Sequence, residues 1–522
     1  ALFLLSLRLM YLQGKDRTQC VLFSESLDQI IDQNHEVRLI DLFVESISLK
    51  DFEFKLKTKT LEGRPPYHPK DLLKLYIYGY LNSIRSSRVL EKECKRNIEL
   101  MWLMKQLTPD HNTIANFRRD NDKAIRKVFK YTVSIAKEFK LIGGKLLAGD
   151  STKLRAQNSK KNNFNEKKIN QHIEYIDKKL NEYNDALAME DGDSENKKII
   201  QEHIELHQLR KENYQQLQQQ LVETGEVQIS TSDPDSRQMI IRNNITEVAY
   251  NVQTVVDAKH CLPIDYLVTN VNDSKAMGEM LERTNEITPV KDVTILYDKG
   301  YHTGSEIKKA VEMEVNIMVA IPAVASHAPD RRYDLEHFTY NEKDDQYTCP
   351  ENQILKTNGK YYNKHHNTKN KIQVKHYKTS ACLHCPAFAQ CTVNEKGRMI
   401  ERSEYASYIA QNKKNIEANK EIYKRRQSIV EHPYGIIKRQ WGFYYIMTKR
   451  KLNRASADVG LMFSAYNLRR LFNILDHKKL KKYFRERIAS FACKMANTRI
   501  ITMEISGSFK NATSIFILKI AA

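Results

Sequence analysis

Short apolar runs after residue 145 limit the fold most strongly, because they alternate with helical patterns in a specific order. Apolar runs bounded by turn residues predict strands, and apolar positions three or four residues apart predict helices. The predicted order is three strands, a helix, a strand, a helix, a strand and a late helical region, at residues 145–149, 248–257, 263–270, 274–286, 293–297, 305–313, 316–322 and 403–475. This order predicts an α/β core with a mixed sheet and flanking helices.

Acidic residues occupy three notable places in that order. Asp150 follows the first strand, Asp298 follows the fourth strand, and Glu431 lies on the late helical region among basic residues. Each acid alone has an ordinary explanation as a cap, a turn residue or an ion-pair partner. Together they lie where a ribonuclease-H-like α/β core assembles its metal site, and convergent carboxylates suit two Mg²⁺ ions in phosphoryl transfer on nucleic acid. Asp257, also at a strand end, is the rival for the second acid.

The charge balance favours a nucleic-acid partner. The chain has 84 Lys and Arg against 64 Asp and Glu, a formal net charge of +20. Such a surplus favours polyanions through neutralisation of phosphates and release of counterions, and a generically basic protein is the alternative. No run approaches the roughly 20 apolar residues of a membrane span. Eight cysteines in 522 residues do not form the pattern of a secreted disulfide scaffold, which favours the cytoplasm or nucleoid.

The N-terminal part of the chain is predicted to be a helical DNA-binding domain at residues 20–140. It follows an extension at 1–19, whose apolar core is too short for a secretory signal. A helix that begins near residue 108 carries three residues predicted to face DNA like a recognition helix: Asn116, Arg118 and Arg119. The alternative is an ordinary amphipathic helix with a solvated basic face.

A first insertion, at residues 161–225, interrupts the predicted core. Its apolar residues recur at alternating steps of four and three, which is a heptad seam: Ile169, Ile173, Ile176, Leu180, Tyr183 and Leu187. A polar break at 190–196 precedes a second, less regular helical stretch. The pattern predicts an antiparallel helical hairpin whose seam closes on its own second arm, with another protein as the alternative partner.

A second insertion, at residues 325–400, contains four cysteines: Cys349, Cys382, Cys385 and Cys391. One Cys-x₂-Cys pair and two further cysteines supply the four thiolates that tetrahedral Zn²⁺ requires, with His384 as the substitute ligand. Reduced structural cysteines are the alternative. Lys and His residues cluster at 364–366 and 369–376, so this module is also a candidate DNA contact.

Three motifs carry a family resemblance: Gly-Asp-Ser-Thr at 149–152, Tyr-Asp-Lys-Gly-Tyr at 297–301, and Val-Glu-His-Pro-Tyr-Gly-Ile-Ile-Lys at 430–438. In combination they resemble DDE transposases of bacterial insertion sequences, in the branch whose last motif joins Tyr, Arg, Glu and Lys on one helix. Four residues match that order, with an Arg-to-Glu spacing one residue longer than usual: Tyr423, Arg426, Glu431 and Lys438. Residues 65–117 resemble the family's helical N-terminal domain, and the likeness covers about residues 10–475.

The resemblance implies a DDE catalytic domain at 141–324 and 401–475, followed by a tail at 476–522. Such an enzyme binds double-stranded DNA at the terminal inverted repeats of its element. It cleaves a strand at each end and joins the freed 3′-hydroxyls to target DNA. The resemblance makes Asp150, Asp298 and Glu431 the catalytic ligands of two Mg²⁺ or Mn²⁺ ions.

The same resemblance assigns DNA contacts and partners. Arg426 and Lys438 would hold phosphates near the scissile bond, and Tyr423 would position a backbone or stack on a base. A homodimer or higher oligomer is expected in the synaptic complex, in the bacterial cytoplasm at the nucleoid. Two alternatives stay open: a nonspecific or structure-selective nuclease on the same core, and a catalytically silent DNA-binding protein derived from a transposon.

Overall fold

The computed structural model describes residues 26–56, 65–189, 195–242, 245–289, 293–323, 328–364, 372–448 and 450–491. The predicted extension at 1–19, residues 365–371 with part of the two Lys and His clusters, and the larger part of the tail at 476–522 lie outside the described residues. No helix within the described ranges is long and apolar enough to cross a membrane.

The described elements form a mixed helix and sheet structure with a helical N-terminal region. The helices are α1 Leu27–Ile30, α2 Glu36–Glu45, α3 Pro69–Leu81, α4 Ser87–Arg96, α5 Ile98–Leu103, α6 His111–Asp120, α7 Asp122–Glu138, α8 Glu166–Met189, α9 Glu195–Thr224, α10 Met277–Ile287, α11 Gly304–Glu312, α12 Phe388–Cys391, α13 Ala406–Ala418, α14 Lys420–Tyr434 and α15 Leu452–Ile474. The main sheet contains β1 Leu146–Arg155, β4 Arg237–Arg242, β5 Ile245–Asp257, β6 Leu262–Thr269, β7 Thr294–Tyr297 and β8 Asn316–Val319. Between β1 and β4 lie β2 Asn163–Asn165 and β3 Gln228–Ser230.

The order of strands in the main sheet is β4-β5-β1-β7-β8, and β6 also pairs with β5. β1 is antiparallel to β5 and parallel to β7, so it lies at the centre of the sheet. β4 and β6 pair with successive halves of the long strand β5. The observed order of strands and helices follows the predicted order, with β4 as a strand that the sequence did not indicate.

The helical region and the sheet share one hydrophobic core. Helix α15 is buried along most of its length, from Ala455 to Phe472, and contacts α3, α7 and β6. Because α15 is buried on nearly every side, it is enclosed by both the helical region and the sheet, and it joins the two parts. The close approach of Tyr266 to Gly460, where a Cβ would meet the Tyr266 hydroxyl, shows how tightly this helix packs on the sheet.

The first insertion is a pair of helices on a two-stranded base. β2 and β3 pair antiparallel, with Asn163 opposite Ser230, and lead into α8 and out of α9. Contacts run in opposite directions along the two helices: Gln218 to Asn170, Tyr214 to His172, Lys211 to Asp177, and His203 to Tyr183. The helices are therefore antiparallel, and the seam of α8 closes on α9.

The second insertion is more regular than its sequence indicated. It contains a five-stranded sheet in the order β13-β12-β11-β10-β9, formed by β9 Thr339–Asn341, β10 Gln346–Thr348, β11 Ile354–Asn363, β12 Gln373–Lys378 and β13 Ile400–Ser403. Its core is small: Phe338, Tyr347, Leu355, Tyr377 and Ile400. The strands are short and mostly polar, so their alternation of apolar and polar residues was too weak to predict them.

Candidate active site

Asp150 lies inside β1 rather than at its exit, which corrects the predicted strand end at residue 149. The last pair between β1 and β7 is Ala148 with Leu296, whereas β1 stays paired with β5 as far as Arg155. Asp150 is therefore just beyond the point where β7 ends. Asp298 directly follows β7, so the parallel pairing carries both acids to the same edge.

The preceding Gly149 is required by close packing. The ring of Tyr297 lies where a Cβ at this position would be, so any larger residue would push β1 and β7 apart. Tyr297 is itself buried, at 1% exposure. Gly149 and Tyr297 therefore fit together, and this packing explains why the two motifs have a glycine before Asp150 and an aromatic residue before Asp298.

The carboxyl group of Asp150 is held in an unfavourable electrostatic setting. Burial raises its pKa to about 6, and the neighbouring charge of Asp298 adds to the increase. The Arg426 guanidinium, 3.3 Å away, and the backbone N–H of Ser151 oppose that increase only in part. Asp298 accepts a 2.7 Å hydrogen bond from the Gly300 N–H, so it also serves the following turn.

Helix α14 brings three side chains to these acids. The Tyr423 hydroxyl donates to the carbonyl oxygen of Tyr297 at 2.9 Å, at the end of β7. Arg426 pairs with the Asp150 carboxylate, and the Tyr434 hydroxyl donates to the Asp150 carbonyl oxygen at 3.1 Å. The helix is thus anchored to both acidic strands.

Glu431 lies on the same helix, but its side chain is exposed. Its Oε1 accepts a 2.8 Å hydrogen bond from the Gln427 amide. Among the described residues, no hydrogen bond or ion pair joins Glu431 to Asp150 or Asp298. Glu431 is five positions after Arg426, so on an ideal helix the two side chains project about 140° apart. The extra residue in the motif spacing therefore has a visible geometric effect.

Lys438 reaches β1 from the π-helical turn Gly435–Gln440. Its Nζ donates to Thr152 Oγ1 at 2.7 Å and to the Lys153 carbonyl oxygen at 3.3 Å. Burial lowers the pKa of Lys438, and the charge of Lys153 lowers it further. Since Thr152 is two residues from Asp150, both side chains lie on the same face of β1.

Asp273 is an acid near the site that the sequence interpretation missed. Its Oδ1 accepts from the amides of Asn251 and Gln253, both at 2.7 Å, and its Oδ2 pairs with Lys153 at 2.8 Å. Burial raises the pKa of Asp273, but Lys153 and the Asn251 hydrogen bond outweigh it and hold that pKa below its usual value. The available signal was an acid shortly after the third strand, the same signal that identified Asp150 and Asp298.

Asp257, the rival for the second acid, has a structural role. It is 1% exposed, and its two carboxylate oxygens accept from the backbone N–H groups of Gly143 and Gly144 at 3.0 and 2.9 Å. In the register of β1 and β5 it lies opposite Leu147. Asp257 therefore fixes the turn that leads into β1.

The predicted DNA contacts on α6 divide into different environments. The prediction that Arg118 faces DNA is wrong, because its side chain is 4% exposed and pairs with Asp458 of α15 at 3.2 Å. Asn116 is half-buried, whereas Arg119 is exposed and pairs with its neighbour Asp120 at 2.6 Å. The helix begins after Asp110, whose carboxylate accepts from the N–H groups of the first turn.

The four cysteines of the second insertion line one cavity: Cys349, Cys382, Cys385 and Cys391. All four are free thiols, and His384 is exposed and does not line the cavity. Burial raises the pKa of Cys391, and the other three cysteines add to this effect. Within the described ranges, no three His, Cys, Asp or Glu side chains already form a metal-binding group, either here or at the acidic edge.

Two regions match known protein families. Residues 25–120 match a family described as a transposase domain (DUF772), and residues 348–472 match a transposase DDE domain. The second match includes Arg426, Glu431 and Lys438, whereas Asp150 and Asp298 precede it. No curated protein matches the chain.

Among solved structures, the chain is similar to a piggyBac transposase synaptic complex with hairpin DNA, determined by cryo-EM. The identity is 10%, the similarity covers 89% of this chain and 82% of that chain, and the TM-score is 0.25.

Proposed function

We propose that this chain, whose two transposase domains support a DDE transposase of the insertion-sequence type, cleaves and joins DNA at the ends of its own element. The observation that carries the proposal is the pair formed by Asp150 and Asp298. Two distant segments bring these acids to one edge of the sheet, and their mutual repulsion contributes to the raised pKa of Asp150. A nucleic-acid enzyme is further supported by the net charge of +20.

The proposed catalytic core is ribonuclease-H-like and consists of residues 141–324 and 401–475. Support comes from the central strand β1, its parallel partner β7 and the late helix α14, which together position the candidate acids. The 20–140 region is the proposed DNA-binding domain, and the 161–225 and 325–400 regions are insertions into the core. The strands β2 and β3 at the base of the first insertion support this division.

Divalent cations fit the acidic edge chemically. Asp150 and Asp298 supply hard oxygen ligands of the kind that Mg²⁺ and Mn²⁺ prefer. One basic partner, Arg426, does not offset the effects of burial and like charge on Asp150, so a cation would relieve a real electrostatic cost. A bound pair of ions would supply activation of the attacking oxygen and stabilisation of the leaving oxygen.

Glu431 is the proposed third carboxylate ligand. It is carried by a helix that Tyr423 and Arg426 fix against the two acidic strands. Its observed partner is the exposed amide of Gln427, and an exchange of one such hydrogen bond costs only about 1 kcal/mol. The proposal therefore requires the Glu431 side chain to leave Gln427 and turn toward the aspartates.

The basic residues of the site would orient the DNA backbone. Arg426 is 18% exposed, pairs with the Asp150 carboxylate and also interacts with the Tyr423 hydroxyl, so a phosphate would share the guanidinium with these two groups. Lys438 holds the same face of β1 through Thr152 and supplies a second positive charge. Tyr423 is tied to the end of β7 and would act by positioning this strand rather than by stacking on a base.

Strand joining is the test that separates a transposase from a nuclease. Precleaved element ends should be incubated with Mg²⁺ and a target plasmid, and covalent joining should be measured. We expect joining that disappears when the 3′-hydroxyl is removed, and that Asp150→Asn, Asp298→Asn and Glu431→Gln each abolish. Glu421→Gln is the matched control, because Glu421 is an exposed acid on the same helix.

Two outcomes would overturn the assignment. If cognate ends never join while arbitrary DNA is cut at similar rates, the chain is a nuclease. If it binds the ends but neither cuts nor joins them at any Mg²⁺ or Mn²⁺ concentration, it is a silent DNA-binding protein. Oligomeric state should be measured on the DNA-bound protein, where we expect a dimer or higher assembly.

A further inference from the structure

The cysteine module has features that the DNA chemistry does not use. Cys349 follows β10, Cys382 and Cys385 belong to the turn around Ser380–His384, and Cys391 ends α12. The module's buried clusters contain only five and three residues, respectively. A unit with so small a core requires a further constraint to be stable.

We infer that Cys349, Cys382, Cys385 and Cys391 bind one structural Zn²⁺ through four thiolates. All four line the same cavity, which encloses side chains from all three segments. Cysteine thiolates are preferred zinc ligands, and four of them complete a closed tetrahedral site. Binding one Zn²⁺ releases four protons to solvent and leaves the centre with a net charge of −2.

The backbone around Cys349 is arranged to stabilise a thiolate. The Gln353 N–H donates to Cys349 Sγ at 3.2 Å, and the Cys349 N–H donates to the Gln353 carbonyl oxygen at 2.9 Å. Asn352, with a φ of 56°, closes this tight loop. An N–H···S hydrogen bond favours the charged form of the sulfur, and hydrogen bonds around metal ligands commonly have this effect.

Arg398 supplies a positive charge at the same cavity. Its Nε is buried and has no hydrogen-bond partner among the described residues, while its Nη1 donates to the Cys391 carbonyl oxygen at 3.4 Å. A buried N–H donor without an acceptor is costly, and Nε of Arg398 is such a donor beside the four thiols. Beside a tetrathiolate centre of charge −2, the same group has an anionic partner.

Gly397 allows the close packing that this arrangement needs. A Cβ at Gly397 would lie 2.7 Å from the Cβ of Cys382, and the residue has a φ of +87°. Only glycine adopts this conformation without strain. The four sulfurs do not already converge on one point, so binding requires rotation about their Cα–Cβ bonds. These bonds have staggered alternatives that differ little in energy.

Metal content of the full chain tests the inference. The protein should be purified under reducing conditions without chelators, and zinc should be measured by elemental mass spectrometry. We expect about one zinc per chain, falling at least fivefold in Cys382→Ser and in Cys385→Ser. Cys261→Ser is the matched control and should retain its zinc, because Cys261 is a free cysteine outside the module. His384→Ala should also retain it.

A second measurement does not depend on whether the variants fold. Metal-free wild-type protein titrated with Co²⁺ should develop thiolate-to-cobalt charge-transfer absorption that saturates at about one equivalent and is lost when Zn²⁺ is added. Absence of both zinc and cobalt binding in reduced, folded protein would overturn the inference. So would full zinc content in the Cys382→Ser/Cys385→Ser double variant, or loss of zinc in His384→Ala with retention in Cys349→Ser.

Discussion

Two carboxylates that face arginines, Asp458 on α15 and Asp150 on β1, have different surroundings. Asp458 on α15 is fully buried, and its oxygens pair with Arg118 at 3.2 Å and Arg85 at 3.6 Å and accept from the Met447 N–H at 2.7 Å. Asp150 on β1 keeps 22% side-chain exposure, and its carboxylate contacts one arginine, Arg426, at 3.3 Å and the Ser151 N–H at 2.7 Å. Asp298 adds a like charge beside it.

The difference separates a structural acid from a candidate catalytic acid. Every oxygen of Asp458 has a donor, so its charge holds the helical region to the core. Asp150 has an excess of negative charge that its neighbours do not neutralise, which is the condition for recruiting a cation. Burial and an arginine partner are common to both acids, so neither feature alone identifies a site.

The largest effect is expected for Asp458→Asn. The substitution leaves Arg118 and Arg85 without their buried counter-charge, and breaking such a cluster costs about 3–5 kcal/mol. The free energy of unfolding should be measured by urea denaturation with circular dichroism. Asp150→Asn, prepared in parallel, should remain folded. A variant of Asp458 within about 1 kcal/mol of the wild type would contradict the structural role assigned here.

Ile176→Asp should have an effect nearly as large as that of Asp458→Asn, but one confined to the helical hairpin. Ile176 in α8 is 1% exposed, and Ile176→Asp would place a charge in the hairpin seam without a buried donor. We expect α8 and α9 to lose helix, measured as reduced ellipticity, while the sheet core stays folded. Tyr175→Asp is the matched control, since Tyr175 is 52% exposed on the same helix. Equal helix content in both variants would show that the seam contributes nothing.

Asp150→Asn should raise stability at pH 8 by about 1–3 kcal/mol in the presence of a chelator. The raised pKa, about 6, means that the charged form is penalised in the folded state. As the pH falls below 6, folded wild-type protein takes up a proton, so the advantage of the variant should shrink and vanish near pH 4. Thermal unfolding at several pH values checks the sign, and a variant less stable at pH 8 would refute it.

Asp273→Asn should show the opposite sign and a smaller size. The pKa of Asp273 is lowered, so its charge stabilises the fold at neutral pH and that contribution is lost as the pH falls. We expect a loss of about 1–2 kcal/mol at pH 8 from weakened bonds to Asn251, Gln253 and Lys153. If the two substitutions changed the free energy of unfolding at pH 8 in the same direction, the contrast between Asp150 and Asp273 would be refuted.

The smallest effect on stability is expected for Arg119→Ala, under about 0.5 kcal/mol, because its pair with Asp120 is exposed. If Arg119 contacts a DNA phosphate, the variant should bind DNA more weakly. The slope of the logarithm of the binding constant against the logarithm of the salt concentration should also become shallower by about one. Arg118→Ala, one residue earlier, should instead lower stability. Unchanged DNA binding by Arg119→Ala would remove this residue from the interface.

The sequence predicted what depends on local pattern. The order of strands and helices, the placement of Asp298 after β7 and the hairpin seam all follow from residue spacing. The sequence did not predict contacts between residues that are far apart in the chain. Arg118 looked like a solvated basic residue because Asp458, which buries it, lies on another helix. The strand β1 continued past residue 149 because β5 offers pairing partners there, which no local signal shows.

The helical hairpin formed by α8 and α9, called the arm below, is joined to the rest of the chain through the paired strands β2 and β3. Asn163 and Ser230 are paired, so the chain leaves the body and returns to it at neighbouring points. Everything between them can be lengthened, shortened or exchanged without changing the register of β1 or β5. Related chains are therefore free to differ in this arm while keeping the same acidic edge, and a reporter domain can be joined there with little disturbance of the core.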